Sequence, residues 1–281
     1  MIRLATLLAV LLAGCGWKSD GLERLEALYP TKAPVVPDAG TMGPLDLGTP
    51  KCSGFDGTWA VRLVQNATIA PLGEPWKLAV TDLFLAESVG QTFSLRFCDQ
   101  QTAITTSGGA SDLGRSRVPD ALRAALARTP VTLTLPGDGT FRAENLVWLW
   151  GLESLPSPLT AALPDKDNHL GDPRVKDQDG DGKPGVTLEI IVPAGARYMV
   201  RRAIWTFAPG KLTFDNQWIT GPLTSAITES GLDATNPLLL TPAPLTPKPE
   251  GTVYQLRCVG QTVTCASLAA EHGPLFKDAP R

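Results

Sequence analysis

Phe93-Ser94-Leu95-Arg96-Phe97-Cys98 is the stretch that decides the fold. In an extended chain successive side chains point to opposite faces, so Phe93, Leu95 and Phe97 share one side and Ser94, Arg96 and Cys98 the other. The same period of two runs through Trp59-Ala60-Val61-Arg62-Leu63 and through Val131 to Leu135. Val186 to Val192, Tyr198 to Phe207, Lys211 to Trp218 and Val253 to Val259 are rich in β-branched and aromatic residues. Gly, Pro, Asn and Asp clusters separate these segments. Half-buried strands of this kind predict a mainly β fold, an antiparallel sandwich or barrel. One short helix is expected at Pro119 to Arg128, with proline in its first turn, an early acid and a late arginine. Its stripe of Leu122, Ala125 and Leu126 would lie against the sheet. Pro237 to Pro249 reads as a long loop.

At the other end of the chain, Leu4 to Ala13 is apolar over ten residues and follows Arg3. That is the length of a signal-peptide core and too short to span a bilayer as a helix. Leu12-Ala13-Gly14-Cys15 closes the run and resembles the lipobox of bacterial lipoproteins. The resemblance implies cleavage before Cys15, a thioether-linked diacylglyceryl group on its sulfur and an acylated amino group. More than one acyl chain is what makes such anchoring stable. Gly16, where an aspartate would favour the inner membrane, points to the outer membrane of a bacterial envelope. Residues 1–14 are thus expected to be a signal peptide and 15–50 a lipidated, Pro/Gly-rich tether. Residues 51–281 are ample for one β-rich domain.

Four cysteines remain after Cys15: Cys52, Cys98, Cys258 and Cys265. An even number in an exported chain predicts disulfides, and four cysteines allow three pairings. The short interval around Gly260 favours Cys258–Cys265, which leaves Cys52–Cys98. No C-x-x-C pair accompanies His169 or His272, which argues against zinc. The whole chain carries a formal net charge of −3, which becomes −4 once Arg3 leaves with residues 1–14. No basic stretch suits nucleic acid.

Six aspartates, Asp165, Asp167, Asp172, Asp177, Asp179 and Asp181, lie within seventeen residues of the acidic loop 165–185. Asp177-Gln178-Asp179-Gly180-Asp181-Gly182-Lys183 resembles the D-x-D-x-D-G calcium loop of EF-hands, dockerins and thrombospondin type 3 repeats. A hard cation needs several oxygens at one point, and alternate residues of a tight turn converge theirs. The resemblance assigns Ca²⁺ to Asp177, Asp179, Asp181 and the Lys183 carbonyl. Asp172, Asp165, Asp167, Glu189 or water would complete the shell. Position twelve is Leu188 rather than glutamate, and a strand follows, so a structural calcium is expected rather than a paired, switching EF-hand. The competing expectation is a solvated acidic turn held by side-chain-to-backbone bonds.

Gly57-Thr58-Trp59 resembles the G-x-W signature of lipocalin-like barrels, in which the tryptophan closes one end. No G-x-S-x-G, H-E-x-x-H or P-loop is present, so the chain is expected not to be an enzyme. Two functions remain open. One is a structural or interaction module of the envelope, held to the membrane by lipid. The other is a lipocalin-like carrier of a small apolar ligand, with Trp148 and Trp150 lining its cavity.

Overall fold

Phe93, Leu95 and Phe97 do alternate inward from a strand, and ten further strands join it in one antiparallel sheet. A computed structural model describes residues 50–280 of the chain, apart from 71–74, 107, 113–114 and 214–216. The expected signal peptide, Cys15 and the expected tether up to residue 49 lie outside the described residues. In chain order come β1 (Gly57–Ile69), β2 (Trp76–Val89), β3 (Thr92–Thr106), β4 (Gly109–Ser111), β5 (Ser116–Arg117) and helix α1 (Asp120–Ala127). They are followed by β6 (Val131–Thr134), β7 (Phe141–Trp150), β8 (Val186–Ile190), β9 (Gly195–Thr213) and β10 (Trp218–Ala234). A 3-10 turn (Pro237–Leu239), β11 (Leu245–Val259) and helix α2 (Cys265–Leu275) complete the chain.

The strand order is β4-β3-β2-β1-β11-β10-β9-β8-β5, with β6 paired to β3 and β7 to β9. The sheet is strongly curled into a half-barrel, so the sandwich alternative falls away. Its inner face is packed with aromatic side chains. Phe84 meets Trp205 with ring centroids 5.8 Å apart, and Phe97 meets Trp148 at 5.3 Å, which ties β2 and β3 to β9 and β7 across the interior. Such rings each bury on the order of 150–250 Å² and gain further from edge-to-face contact. Trp59 sits in the same cluster, fully buried, and donates its indole N–H to the Phe55 carbonyl at 2.9 Å.

Several expectations need correction. Lys211 to Trp218 is not one strand: β9 runs to Thr213 and β10 begins at Trp218. The loop expected at Pro237 to Pro249 instead holds a 3-10 turn and the start of β11. Prolines are tolerated there because residues 245–248 pair with β1 alone, while β10 pairs with β11 only at residues 253–257. An edge with no partner asks for no N–H. Strand β2 has no clean alternation, because Phe84 and Ala86 face the aromatic interior while Leu83 and Leu85 pack on the outer face. Burial on both faces turns period two into a continuous apolar run.

The outer cover is α2, a second helix that the sequence pattern concealed. Its Leu268 and Leu275, with Phe276, pack on Leu83, Leu85 and Trp218. Thr264 and Ser267 cap it reciprocally, each side chain accepting the other's backbone N–H, at 3.2 and 2.9 Å. Gly273-Pro274 and a kink at Glu271 hide it from a periodicity search. The expected helix is present as Asp120–Ala127, with Leu122, Ala125 and Leu126 buried as the stripe required.

Helix α2 also decides the disulfides, which are Cys52–Cys258 and Cys98–Cys265. The Cys258–Cys265 and Cys52–Cys98 pairing is therefore wrong. Cys258 belongs to the inner cluster and Cys98 to the outer one, with Cys265 packed against the latter. A strand residue facing inward cannot reach a helix on the outer face, however close in sequence.

Candidate functional site

The acidic loop leaves the sheet at Trp150 and returns to it at Val186. Its stem is stitched by the Lys176 N–H to the Gly151 carbonyl and the Gln178 N–H to the Gly185 carbonyl, at 2.9 and 3.0 Å. The Gln178 side chain accepts from the Gly151 N–H at 2.8 Å. Gly185 has φ +82° and lies against the Met199 carbonyl of β9, where any side chain would collide with backbone. The loop is thereby clamped to β9 at its exit.

Above this stem Asp177, Asp179 and Asp181 place carboxylate oxygens within 4.8 Å of one another. Asp177 accepts the backbone N–H groups of Gly180 (2.8 Å), Asp181 (3.2 Å) and Gly182 (2.9 Å). Positive φ at Gly180 and Gly182, +73° and +78°, lets the chain turn tightly enough for that. Thr187 of β8, which the sequence did not single out, docks the loop on the sheet. Its N–H donates to Asp179 Oδ2 at 2.8 Å and its hydroxyl to Asp181 Oδ2 at 2.5 Å.

One atom stands apart: Asp179 Oδ1 is buried and has no hydrogen-bond partner among the described residues. Burial raises the Asp179 pKa, the Thr187 N–H opposes that rise, and the charges of Asp181 and Asp177 add to it. A cation within the triad would satisfy the orphaned oxygen and reverse the repulsion. The donor set is all oxygen, which suits a hard cation such as calcium.

The other carboxylates of the expected ligand set lie elsewhere. Asp172 forms an ion pair with Arg174 at 2.6 Å, and Glu189 with Arg117 at 2.7 Å. Asp165 accepts the Asp167 N–H, and Asp167 pairs with Lys166. The Lys183 N–H donates to Asp181 Oδ1 at 2.8 Å, and its ammonium sits 5.3 Å from the Tyr198 ring centre. Pairing within one or two residues draws Asp165, Asp167 and Asp172 away from the triad, and the β5–β8 pairing does the same for Glu189.

A second constellation, missed in the sequence, lies inside the half-barrel beside the aromatic cluster. Asp82 is fully buried between two glutamines, accepting from Gln65 Nε2 at 2.5 Å and Gln100 Nε2 at 2.6 Å. The Gln65 oxygen accepts from the Trp205 indole at 3.2 Å and from the Ser225 hydroxyl. The Gln100 oxygen accepts from Arg201 at 3.3 Å. With both amide oxygens engaged, both NH₂ groups face Asp82, which has to accept twice. Arg201 stacks 4.0 Å over Trp150 and pairs with Glu229, which also lies 3.5 Å from Arg197. The signal was a polar residue at inward parity, Asp82 after Leu78 and Val80 and before Phe84.

Burial pushes Asp82 up to about 6 from 3.8, against the pull of Gln100, Arg201 and Gln65. Between those values the folded chain holds a proton that the unfolded chain has lost. The Asp82 contribution to stability therefore falls as pH rises from about 4 to about 6. Asp82→Asn removes that slope and sets an amide NH₂ against a glutamine NH₂. The cost of the substitution, from urea unfolding, is expected to be about 1 kcal/mol greater at pH 5 than at pH 7. Equal costs at the two pH values would contradict a shifted carboxyl.

Comparison with protein families, curated proteins and solved structures gives no match for this chain.

Proposed function

We propose that this chain is an exported lipoprotein of the bacterial envelope, anchored through Cys15. It presents the half-barrel as a structural or interaction module whose long acidic loop is stiffened by calcium. The observation that carries the calcium reading is the buried, unpartnered Oδ1 of Asp179 within a triad of converging carboxylates. Leu12-Ala13-Gly14-Cys15 supports the anchor, and two cross-linked cysteine pairs suit an oxidising compartment. Asp177, Asp179 and Asp181 would hold the ion, with the Lys183 carbonyl and water completing its shell. The ion supplies charge neutralisation and pins the loop to β8 through Thr187.

Native mass spectrometry of the chain extracted from its own membrane tests both halves. The expected species begins at an acylated Cys15 and carries two disulfides and one calcium ion. Asp179→Ala should lose the ion, and with it terbium luminescence, while keeping the lipid. An unmodified Cys15 overturns the anchor; no saturable metal binding, or binding indifferent to Asp179→Ala, overturns the calcium site.

A carrier of a small ligand is the second reading. Trp148 and Trp150 do not supply its cavity, since both are buried in the aromatic cluster. The space that favours this reading lies beyond the polar layer, at the other end of the half-barrel, where a cleft of about 460 Å³ opens.

A further inference from the structure

The interior of the half-barrel is stratified. An aromatic cluster fills one end, the Asp82, Gln65 and Gln100 layer crosses the middle, and the other end is an open cup. The cup's walls are apolar: Trp76 and Leu78 of β2, Ile104 of β3, Ile190 of β8 and Ile227 of β10. Leu238, 81 % exposed, stands in its lining as an apolar residue open to water. A volume of about 460 Å³ falls within the range of sites that take drug-sized ligands, about 300–1,000 Å³.

The polar lining of this cup is charged. Arg197, Arg201, Glu229 and Gln100 all reach it. Two guanidiniums share the single carboxylate of Glu229, Arg201 at both Nε and Nη2 and Arg197 at 3.5 Å from Nη1. Arg197 Nε donates to the Leu239 carbonyl at 2.7 Å, and its Nη2 makes no hydrogen bond among the described residues. Asp82 lies deeper, held by the glutamines, and forms no ion pair with either arginine among the described residues. A ligand carboxylate would take the spare Arg197 donor, the geometry guanidinium recognises best.

We propose that the cup binds a single-chain amphiphile with a carboxylate head, of the chemical class of a fatty acid. The head rests on Arg197, and the chain runs along Trp76, Leu78 and Ile104 toward the rim. Burial of the chain supplies most of the affinity and the Arg197 contact supplies head-group selectivity. This rests on the carrier reading and on neither the anchor nor the calcium loop.

The test uses the full chain with Cys15→Ser, so that no attached acyl group competes, in detergent-free buffer. Calorimetric titration with dodecanoate, dodecanol and dodecyltrimethylammonium compares heads on one chain. Saturable one-to-one binding of dodecanoate is expected, with the alcohol weaker and the cation weaker still. Arg197→Gln should weaken dodecanoate about tenfold or more and leave dodecanol within about twofold. Arg197→Lys should recover part of the loss, and Leu78→Trp, which fills the cup, should weaken all three. Equal affinity for the three heads, or dodecanoate binding indifferent to Arg197→Gln, overturns the head assignment while leaving a carrier standing. Failure of every probe to saturate the parent chain, shown folded by circular dichroism, overturns the carrier reading as well.

Discussion

Trp205→Ala is expected to cost the fold about 3–5 kcal/mol, the range for removing a large aromatic from a packed core. Trp205 is fully buried, with ring centroids 5.2 Å from Trp148 and 5.8 Å from Phe84. It joins β9 to β7 and to β2 across the interior, so the cavity left behind faces strands from both halves of the curled sheet. The substitution also takes the indole N–H from Gln65, loosening the amide that holds Asp82. In urea unfolding the midpoint should fall sharply, whereas Leu238→Ala, at an exposed site, should stay within about 0.5 kcal/mol of the parent. A loss below about 1 kcal/mol for Trp205→Ala would mean that the core collapses around the gap and that the aromatic cluster does not hold the sheet's curl.

Glu229→Gln is expected to cost a comparable amount, about 3–5 kcal/mol, through charge rather than volume. The side chains of Arg201, Glu229 and Arg197 are 8 %, 12 % and 13 % exposed, so water in the cup screens only part of the charge that the substitution leaves. Burial already lowers the Arg197 pKa, Glu229 counters that, and Arg201 adds to the lowering. Without the carboxylate, two guanidiniums face each other across a neutral amide. Thermal unfolding of Glu229→Leu, Arg201→Met and the double variant closes a cycle in which the double should cost clearly less than the two singles together. Strict additivity would show that Glu229 and Arg201 are not coupled and that the layer is held by the glutamines alone.

These two residues show where sequence patterns stop being readable. Trp205 lies in a segment that already read as a strand, and in the structure it shares the inward face with Ala203 and Phe207. Glu229 lay in β10, a strand that did not read as one, because its outward and inward positions both carry polar residues. Asp82 stands among the apolar residues of β2, yet nothing local says that Gln65, seventeen positions earlier, and Gln100, eighteen later, come to meet it. The Asp177, Asp179 and Asp181 triad was legible because its convergence is made within one turn. Asp172 and Glu189 were expected to help complete the shell, and their arginine partners were decided by a neighbouring residue and by a strand pairing respectively.

Period two along Phe93 to Phe97, the stripe of the first helix, the acidic turn and the even cysteine count are local properties, set by backbone geometry within a few residues, and the chain alone was enough for them. Which cysteines join, where α2 lies, and how a polar layer comes to separate a filled end from an open cup depend on residues more than a hundred positions apart. Those were decided only when the sheet curled, because curling gives each strand an inside and an outside, and it is the side a residue faces, not its distance along the chain, that chooses its partner.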